Sequence, residues 1–474
     1  MTVQLPGALL DSLAGIEGFD KEAFDRVHTS GDTITSIRLN PLKGSVLNRD
    51  WPVMQLHDAS KDEIYLSQAI VESRIPWSQS GYYLSQRPSF TFDPLFHAGC
   101  YYVQEASSMF LEQAIKQTVD LSRPLRVLDL CAAPGGKSTH IQSLISKDSL
   151  LVSNEVIKTR MHILKDNCIK WGADNVVVTS NDPKDFARLP GYFDMIVIDA
   201  PCSGSGLFRR DKSAVDEWSI NNVALCSQRQ QRILADAWPS LKEGGILIYS
   251  TCSYSKQEDE EIMDWMNEEL QIENIRISID REWGIVETVS DKYHSYGYRF
   301  WPFNLNGEGF FLSCVRKIGT EKKFSFRPKN KPEPVNKKDL PLVHKWISDS
   351  GHFFIQKNSI VYGIPGANID DITMLLATLR VLYSGIIVGE IFHRDLVPAH
   401  SLAMTRFVNN TVPYMDLQYE SAIDYLKRKE FNLQSKELGW IRVSYKGYNL
   451  GWVKVLTNRI NNYYPRELRI LKDL

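Results

Sequence analysis

The chain has 474 residues, of which 43% are hydrophobic and 24% charged, and its formal net charge is −2 at pH 7. These values are typical of about two to four globular domains, and the lack of a basic excess argues mildly against a nucleic-acid-binding protein. No apolar run approaches the roughly 18 residues of a membrane span and no cysteines form a C-x-x-C pair, which excludes membrane helices, zinc ribbons and a disulfide framework.

The first 120 residues predict a mixed domain of helices and strands. The opening segment, MTVQLPGALLDSLAGIEG, has no basic stretch followed by an apolar one, so it is not a signal peptide, and we expect a protein of the reducing cytoplasm. Helical periodicity in LPGALLDSLAG and KEAFDRVHTS, and short candidate strands in TSIRLNP and DEIYLSQAI, indicate an α+β domain over residues 1–120.

The pattern changes between residues 121 and 318. Five apolar, β-branched runs (LRVLDLC, LLVSNEV, NVVVTSN, FDMIVIDA and GGILIYSTC) alternate with amphipathic helical segments, and FFLSCVRK is a plausible last strand. This alternation is typical of a parallel sheet covered on both faces, so we predict a doubly wound, Rossmann-like α/β domain. Such sheets bind ligands at the carboxyl ends of their strands. The chemically active residues there are Cys131, Glu155, Asp182, Asp199, Cys202 and Cys252.

The rest of the chain predicts a linker over residues 319–340 and a mixed α/β region over residues 341–474. Basic side chains dominate residues 316–338, and in residues 442–472 they alternate with aromatic ones. Basic groups neutralise phosphates and aromatic faces stack on bases, so both segments are candidates for binding nucleic acid. The pattern alone favours the plainer interpretation, a solvated linker and the aromatic core of a small β domain.

A glycine-rich loop, LDLCAAPGGKSTH, follows the first strand of the α/β domain and opens a helix. The pattern fits a phosphate-binding P-loop at Gly136, Lys137 and Ser138, but Cys131 replaces the first glycine and Pro134 lies inside the loop. It also fits a loop that holds a nucleoside cofactor, because backbone amides at a helix N-terminus approach a ligand closely. We favour the second interpretation, since only it gives roles to the neighbouring acids and cysteines.

Two acids support a nucleoside ligand. Glu155 ends the second strand and is predicted to bind both ribose hydroxyls, while Asp182 ends the third and is predicted to meet the adenine edge. A ligand with ribose and base but no phosphate, such as S-adenosylmethionine, suits a loop without the G-x-G-x-x-G pattern. A solvated carboxylate is the commoner explanation for either acid alone. Three acids at strand ends, Glu155, Asp182 and Asp199, are harder to explain that way.

Cys202 and Cys252 each follow an apolar strand, in turns rich in serine and glycine where packing requires no hydrophobic residue. Addition of a thiolate to carbon 6 of a pyrimidine makes carbon 5 electron-rich enough to accept a methyl group, and a base then removes the carbon-5 proton as the thiol leaves. Asp199, close to Cys202 in the chain, can hold the polar edge of the base. Four other cysteines are predicted to be small buried packing residues: Cys100, Cys168, Cys226 and Cys314.

The motifs DLCAAPGGKS, DAPCSGSG and YSTCS together resemble those of the RNA cytosine-5 methyltransferases of the Sun and Nop2 group. The likeness extends through YYVQEASSM, NEVIKTRMHILKDN, FRRDKSAVDEWS and RFWPFNLNGEGFF, and so covers roughly residues 100–317. IRLNPLK is similar to the family's N-terminal RNA-binding extension. VSYKGYNLGWVKVLTNRINNYYPREL is similar to the C-terminal, PUA-like module of longer members that modify small-subunit rRNA.

This resemblance implies a role for each motif residue. Cys252, in the TCS motif, would be the nucleophile, Cys202 would act in product release, and Asp199 would lie between the cofactor and the target cytosine. Related DNA enzymes use the cysteine of the PC motif as nucleophile, so spacing alone does not fix the order. The cofactor would be held by residues of the glycine-rich loop and the strand ends: Cys131, Ala132, Ala133, Pro134, Gly135, Gly136, Lys137, Glu155, Arg160, Asp182 and Asp199.

We therefore expect a monomeric S-adenosylmethionine-dependent RNA cytosine-5 methyltransferase that needs no metal. The resemblance implies 16S rRNA as the substrate, free or within the small ribosomal subunit, and tRNA is the alternative. Two other classes stay open at this point: a non-catalytic RNA-binding assembly factor that kept the fold, and a P-loop NTPase.

Overall fold

The computed structural model describes residues 5–44, 71–319, 332–348, 351–430 and 437–472. The candidate strand DEIYLSQAI and much of the predicted linker lie outside these residues. No helix in the described part of the chain is long and apolar enough to cross a membrane.

Short helices and strands alternate along the chain. The α-helices are α1 (Gly7–Leu13), α2 (Lys21–Thr29), α3 (Pro94–His97), α4 (Leu111–Thr118), α5 (Gly136–Leu144), α6 (Lys158–Trp171), α7 (Lys212–Glu217), α8 (Ile220–Ala237), α9 (Glu260–Glu269), α10 (Leu340–His344), α11 (Ile369–Thr378), α12 (His400–Met404) and α13 (Tyr419–Lys427). The strands are β1 (Thr35–Leu39), β2 (Val71–Arg74), β3 (Gly81–Leu84), β4 (Tyr101–Val103), β5 (Arg126–Asp129), β6 (Leu150–Asn154), β7 (Val176–Thr179), β8 (Phe193–Asp199), β9 (Leu241–Thr251), β10 (Ile272–Ile275), β11 (Val286–Val289), β12 (Tyr296–Phe300), β13 (Phe310–Lys317), β14 (His352–Lys357), β15 (Ile360–Pro365), β16 (Val381–Ser384), β17 (Ile386–Phe392), β18 (Asp395–Pro398), β19 (Tyr414–Leu417), β20 (Gly439–Tyr445), β21 (Tyr448–Val455) and β22 (Ile460–Asn462).

Within the described residues, the central sheet has ten strands in the order β11-β12-β13-β9-β8-β5-β6-β7-β16, with β10 pairing to β13. β5 pairs in parallel with both β6 and β8, and the sheet continues in parallel to β7 on one side and β9 on the other. This topology confirms the prediction of a doubly wound α/β domain. The strand order changes direction at β5, which leaves a crevice at the carboxyl ends of the strands.

These strands are apolar along their whole length because helices cover both faces of the sheet. Val127 and Leu128 are neighbours on β5, and both are fully buried. Val127 belongs to a hydrophobic core that contains Leu164 of α6, whereas Leu128 belongs to a second core that contains Leu234 of α8. Because successive strand residues point to opposite faces, a strand buried on both faces is apolar throughout rather than alternating.

The N-terminal domain is a four-stranded sheet, in the order β2-β3-β1-β4, with helices around it. The fully buried Arg38 of β1 ties this sheet to the central domain. Its guanidinium donates to Gln104 Oε1 at 2.7 Å, to Thr139 Oγ1 at 2.6 Å and to Ser143 Oγ at 3.1 Å. Since Thr139 and Ser143 lie on α5, the N-terminal domain is fixed directly to the helix that follows the glycine-rich loop.

The C-terminal region adds a strand to the central sheet that the sequence did not predict. β16 pairs antiparallel with β7, with Tyr383 opposite Val178. Asn181 holds this edge, because its side chain accepts a hydrogen bond from the Arg380 amide at 2.9 Å and donates one to the Arg380 carbonyl at 3.2 Å. The VLYS sequence of β16 is short and its partner is distant in the chain, so local pattern cannot reveal the pairing.

Two further four-stranded sheets complete the described C-terminal part, in the orders β14-β15-β17-β18 and β19-β20-β21-β22. The last sheet shares one hydrophobic core with the N-terminal domain, in which Leu95 and Tyr101 join Leu426 of α13. Trp452 and Tyr464 are also buried. These two aromatic residues of the tail are therefore packing residues, as the plainer interpretation of the sequence expects, and they present no face to a base.

Candidate active site

The glycine-rich loop joins β5 to α5 and is held from outside by side chains of α6. Gly135 has a φ of 112°, a left-handed conformation that favours glycine, and α5 begins at the next residue. Arg160 donates to the Ala133 carbonyl at 2.6 Å, and Asn167 donates to the Pro134 carbonyl at 2.8 Å. Arg160, predicted to line the cofactor site, thus lies against the loop.

The cationic and hydroxyl groups of the loop are already paired with carboxylates. Lys137 Nζ lies 2.7 Å from Asp199 Oδ2 at the end of β8, and Ser250 Oγ donates to the other oxygen of Asp199 at 2.8 Å. Ser138 Oγ donates to Asp129 Oδ2 at 2.6 Å. A P-loop needs this lysine for phosphate and this hydroxyl for magnesium, so their pairing argues against the NTPase interpretation.

The two predicted nucleoside-binding acids differ in their surroundings. Glu155 is buried at the end of β6; it accepts a hydrogen bond from the Ile157 amide at 2.8 Å and lies 3.7 Å from Arg160. Asp182 is only half-buried and caps a short 3₁₀ helix, where it accepts from the Lys184 amide at 3.2 Å. This capping contact gives Asp182 a structural role, and its contact with adenine stays a prediction.

Asp129, which the sequence reasoning did not select, lies at the centre of this cluster. It is fully buried at the end of β5, and its Oδ1 atom has no hydrogen-bond partner in the described protein. Burial raises the pKa of Asp129 to about 7, and the nearby Asp199 and Glu155 act in the same direction while Ser138 and Lys137 oppose it. Its position at the end of the first strand, in LDLC, was the available signal.

The cluster fits S-adenosylmethionine better than a polyphosphate. Three acids, Asp129, Glu155 and Asp199, act on one another beside the loop, and the two cations next to it, Lys137 and Arg160, lie within 4 Å of Asp199 and Glu155. The surplus of carboxylates suits a cationic sulfonium and repels phosphates. The partnerless oxygen of Asp129 offers an unused acceptor. No group of three or more side chains that could hold a metal is found in the described ranges.

The structure brings the two predicted cysteines together. Cys202 follows β8 and Cys252 follows β9, and their sulfur atoms lie 3.2 Å apart, within hydrogen-bonding distance for thiols. The hydrogen bond with Cys252, together with burial, holds the pKa of the Cys202 thiol well above its ordinary value. Both thiols are half-buried, whereas four other cysteines are buried, in agreement with the packing role predicted for them: Cys100, Cys168, Cys226 and Cys314.

A buried network of charge holds the segment that follows Cys252. Arg299 of β12 donates to both oxygens of Glu260, at 2.7 and 2.5 Å, lies 3.1 Å from Asp259, and donates to the Tyr254 carbonyl at 2.9 Å. Thr251 Oγ1 donates to the other oxygen of Asp259 at 2.6 Å. These contacts fix the chain on both sides of Cys252.

A large cavity, of about 850 Å³, lies away from the cysteines and contains none of the predicted site residues. Its walls come from the N-terminal domain, the central domain and the C-terminal region, at the amino ends of β6 and β7. Four basic side chains line it, together with Trp171: Lys43, Lys147, Arg406 and Lys446. Asp174, which also lines it, lies 2.8 Å from His352 Nε2. The local charge is therefore basic, although the chain as a whole is not.

Three families match successive parts of the chain. Residues 5–106 match the N-terminal domain of 16S rRNA methyltransferase RsmF, residues 117–316 match 16S rRNA methyltransferase RsmB/F, and residues 412–470 match the methyltransferase RsmF PUA domain. The protein named ribosomal RNA small subunit methyltransferase F from Aeromonas salmonicida is 29% identical to this chain, over 91% of this chain and 90% of that protein. The protein of that name from Psychromonas ingrahamii is also 29% identical, over 98% and 97%.

A solved structure shares the fold over two thirds of the chain. A methyltransferase homolog protein from Pyrococcus horikoshii superimposes with a TM-score of 0.51 and 26% identity, covering 66% of this chain and all of that one.

We predict that Arg299→Ala strongly destabilises the fold. The substitution leaves the buried carboxylates of Asp259 and Glu260 without their cation, which lowers the free energy of unfolding by about 3–5 kcal/mol. Urea denaturation followed by circular dichroism measures this change. Arg276→Ala is the control, because Arg276 makes two similar contacts with Glu287 on the surface and such pairs contribute little. Equal losses in the two variants would contradict the assignment.

Proposed function

We propose that this chain methylates carbon 5 of a cytosine in 16S rRNA. The proposal is supported by the matches of its central part to the 16S rRNA methyltransferase RsmB/F family and of its two ends to the N-terminal and PUA domains of RsmF. The observation that carries this proposal is the 3.2 Å separation of the Cys202 and Cys252 sulfur atoms, in the turns that follow the paired strand-end residues Asp199 and Ser250. Methylation of carbon 5 needs a thiol that adds to carbon 6 and a group that holds the polar edge of the base. This crevice supplies both.

S-adenosylmethionine supplies the electrophilic methyl group when it is bound. The glycine-rich loop, from Cys131 to Lys137, would hold its methionine and ribose parts, Glu155 the ribose hydroxyls and Asp182 the adenine. Lys137 ties Asp199 to this loop through its 2.7 Å ion pair. Lys137 thereby fixes the Asp199 carboxylate next to the loop, and we propose that this carboxylate holds the polar edge of the target cytosine.

Cys252 is the proposed nucleophile. Its thiolate forms a bond to carbon 6 of the cytosine, and the displaced electron pair makes carbon 5 nucleophilic towards the methyl group. Loss of the carbon-5 proton to a base then restores the double bond and breaks the bond between sulfur and carbon 6. Cys202, held as a neutral thiol, can donate a hydrogen bond to the Cys252 sulfur at 3.2 Å. This donation stabilises the thiolate both before addition and as it leaves.

The cytosine must leave its stack to reach this crevice, so a single-stranded or flipped-out nucleotide is expected. We further propose that the basic cavity at the junction of the three domains contacts the RNA backbone. Lys147 and Lys446 are exposed at its edge, and Trp171 forms part of its wall. The cavity lies at the amino ends of the strands, whereas the cysteines lie at the carboxyl ends. A folded RNA rather than a short oligonucleotide is therefore needed to reach both places.

The cysteine variants test the reaction. Unmodified 16S rRNA, assembled small subunits and tRNA are each incubated with protein and S-adenosylmethionine, and nucleosides are analysed by mass spectrometry. We expect 5-methylcytidine in the 16S rRNA or subunit sample, none with Cys252→Ala, and unchanged cofactor binding by that variant. Cys202→Ala is expected to accumulate a covalent RNA adduct, seen as a slow band on a denaturing gel, because the second thiol is needed for release.

Cys100→Ala, in the N-terminal core, is the control and retains activity. An adduct that accumulates with Cys252→Ala instead would reverse the two roles. Product in the tRNA sample alone would change the substrate, and cofactor binding without product in any sample would favour a non-catalytic assembly factor.

Glu155→Ala tests the cofactor site. Loss of a charge-assisted hydrogen bond to the ribose is expected to weaken S-adenosylmethionine binding by about 1–3 kcal/mol, measured by isothermal titration calorimetry. Glu243→Ala removes an exposed carboxylate from β9 and is expected to leave the affinity unchanged. An unchanged affinity in Glu155→Ala would remove this residue from the site.

The doubly substituted variant Lys147→Glu, Lys446→Glu tests the basic cavity. If these side chains contact phosphates, RNA affinity falls and the slope of log affinity against log salt concentration decreases by about 2. Filter binding to 16S rRNA over a range of salt concentrations measures both. Lys357→Glu reverses an exposed charge on the hairpin of β14 and β15 and serves as the control. An effect of Lys357→Glu that is about half that of the double variant would show that only net charge matters, because it changes half as much charge.

A further inference from the structure

The two cysteine turns are joined by one buried acid that the reaction described above does not use. We propose that Glu258 is a positioning residue that sets the separation of the Cys202 and Cys252 sulfur atoms and, through its charge, decides which of them is the nucleophile. This inference rests on the proposed function, since it assigns roles within the same site.

The carboxylate of Glu258 lies between the two turns and has no solvent exposure. Its Oε1 atom accepts hydrogen bonds from the Ser203 amide at 2.8 Å and from Gln230 Nε2 at 3.2 Å. Its Oε2 atom accepts from Ser203 Oγ at 2.5 Å and from Ser253 Oγ at 2.7 Å. Ser203 directly follows Cys202, and Ser253 directly follows Cys252, so a single side chain is hydrogen-bonded to both cysteine turns.

The backbone of Glu258 is itself fixed. Tyr249 Oη donates to the Glu258 carbonyl at 2.7 Å, and the Glu258 amide donates to the Ser255 carbonyl at 3.0 Å. The Gly206 amide donates to the Cys252 carbonyl at 2.9 Å, which joins the two turns a second time. The backbone of Glu258 is therefore held by β9 and by its own turn. This gives its carboxylate the rigidity that a positioning role requires.

The charge of Glu258 acts on Cys202, whose turn it binds. The hydrogen bond with Cys252 and burial raise the pKa of Cys202, and the negative charge of Glu258 acts in the same direction. Other ionisable groups act on this cluster from β8, β9, α8 and the segment that follows β9: Asp199, Tyr249, Cys226, Arg229, Tyr254 and Asp259. An anion beside Cys202 disfavours a thiolate there, which leaves Cys202 as the hydrogen-bond donor and Cys252 as the acceptor.

Glutamine at position 258 separates charge from geometry. Its carbonyl oxygen can take the place of Oε1 and accept from the Ser203 amide and Gln230, which are obligate donors. Its amide nitrogen can take the place of Oε2, because the hydroxyls of Ser203 and Ser253 can accept as well as donate. Glu258→Gln thus removes the charge and keeps the contacts, whereas Glu258→Ala removes both. Glu261→Gln, on the exposed side of α9, is the matched control.

Two measurements test the proposal. Methyl transfer under saturating substrate is expected to fall about 100-fold in Glu258→Ala, with unchanged S-adenosylmethionine affinity, because loss of alignment of this kind acts on kcat. Glu258→Gln is expected to retain more activity than Glu258→Ala. Alkylation of each cysteine by iodoacetamide is followed by peptide mass spectrometry as a function of pH. The alkylation profile of Cys202 in Glu258→Gln is expected to shift to lower pH than in the wild type, since a neighbouring anion is lost.

The proposal is overturned if the Cys202 alkylation profile of Glu258→Gln coincides with that of the Glu261→Gln control, or if Glu258→Ala keeps the kcat of the wild type. Thermal melting identifies a variant that fails to fold, and in that case the glutamine variant decides. Alkylation uses the free protein, so it reports on the sulfur pair even if no methylated cytosine is found. Lack of methylation by the wild type would overturn the proposed function and leave the alkylation result to stand separately.

Discussion

The parallel pairing of β8 with β9 is the constraint on which the site depends. Asp199 and Ser250 are register partners at the ends of these strands, and the Ser250 hydroxyl is bound to the Asp199 carboxylate at 2.8 Å. The segments that follow β8 and β9 both leave the sheet at this pair, so two turns that are far apart in sequence begin side by side. Cys202 and Cys252 meet because they lie two or three residues beyond this pair. A one-residue slip in register would send one of the two side chains to the other face.

The turns beyond the sheet are held by charge rather than by apolar packing. Glu258 accepts hydrogen bonds from both turns, and the adjacent Asp259 and Glu260 share the cation of Arg299. Burial of three successive carboxylates is costly unless each is hydrogen-bonded or paired. The directional contacts that offset this cost also fix positions more sharply than side chains such as leucine could, which is the property that a pair of sulfur atoms at a set separation requires.

The sequence predicted six strands of the central sheet, β5 to β9 and β13, because burial on both faces makes each run apolar throughout. It did not predict β10, β11 or β12. It also predicted that Cys202 and Cys252 would meet, because the carboxyl ends of parallel strands converge. It did not predict Glu258, since the run KQEDEE is typical of a solvated helix start and spacing does not show which acids are buried. The edge strand β16 was not predicted for a related reason. Its position is set by a distant partner, Asn181, and the local sequence pattern does not indicate that contact.

The buried Arg38 explains how the N-terminal domain can matter to chemistry that takes place on another domain. Its guanidinium spans Gln104 of the N-terminal segment and Thr139 of α5, and Thr139 lies one turn beyond the glycine-rich loop. The same domain shares a hydrophobic core with the last C-terminal sheet. The surface proposed to contact RNA and the loop proposed to hold the cofactor are therefore parts of one packed body. Under this proposal, the distance between a bound RNA and the two sulfur atoms is set by that packing, and not by the length of a linker.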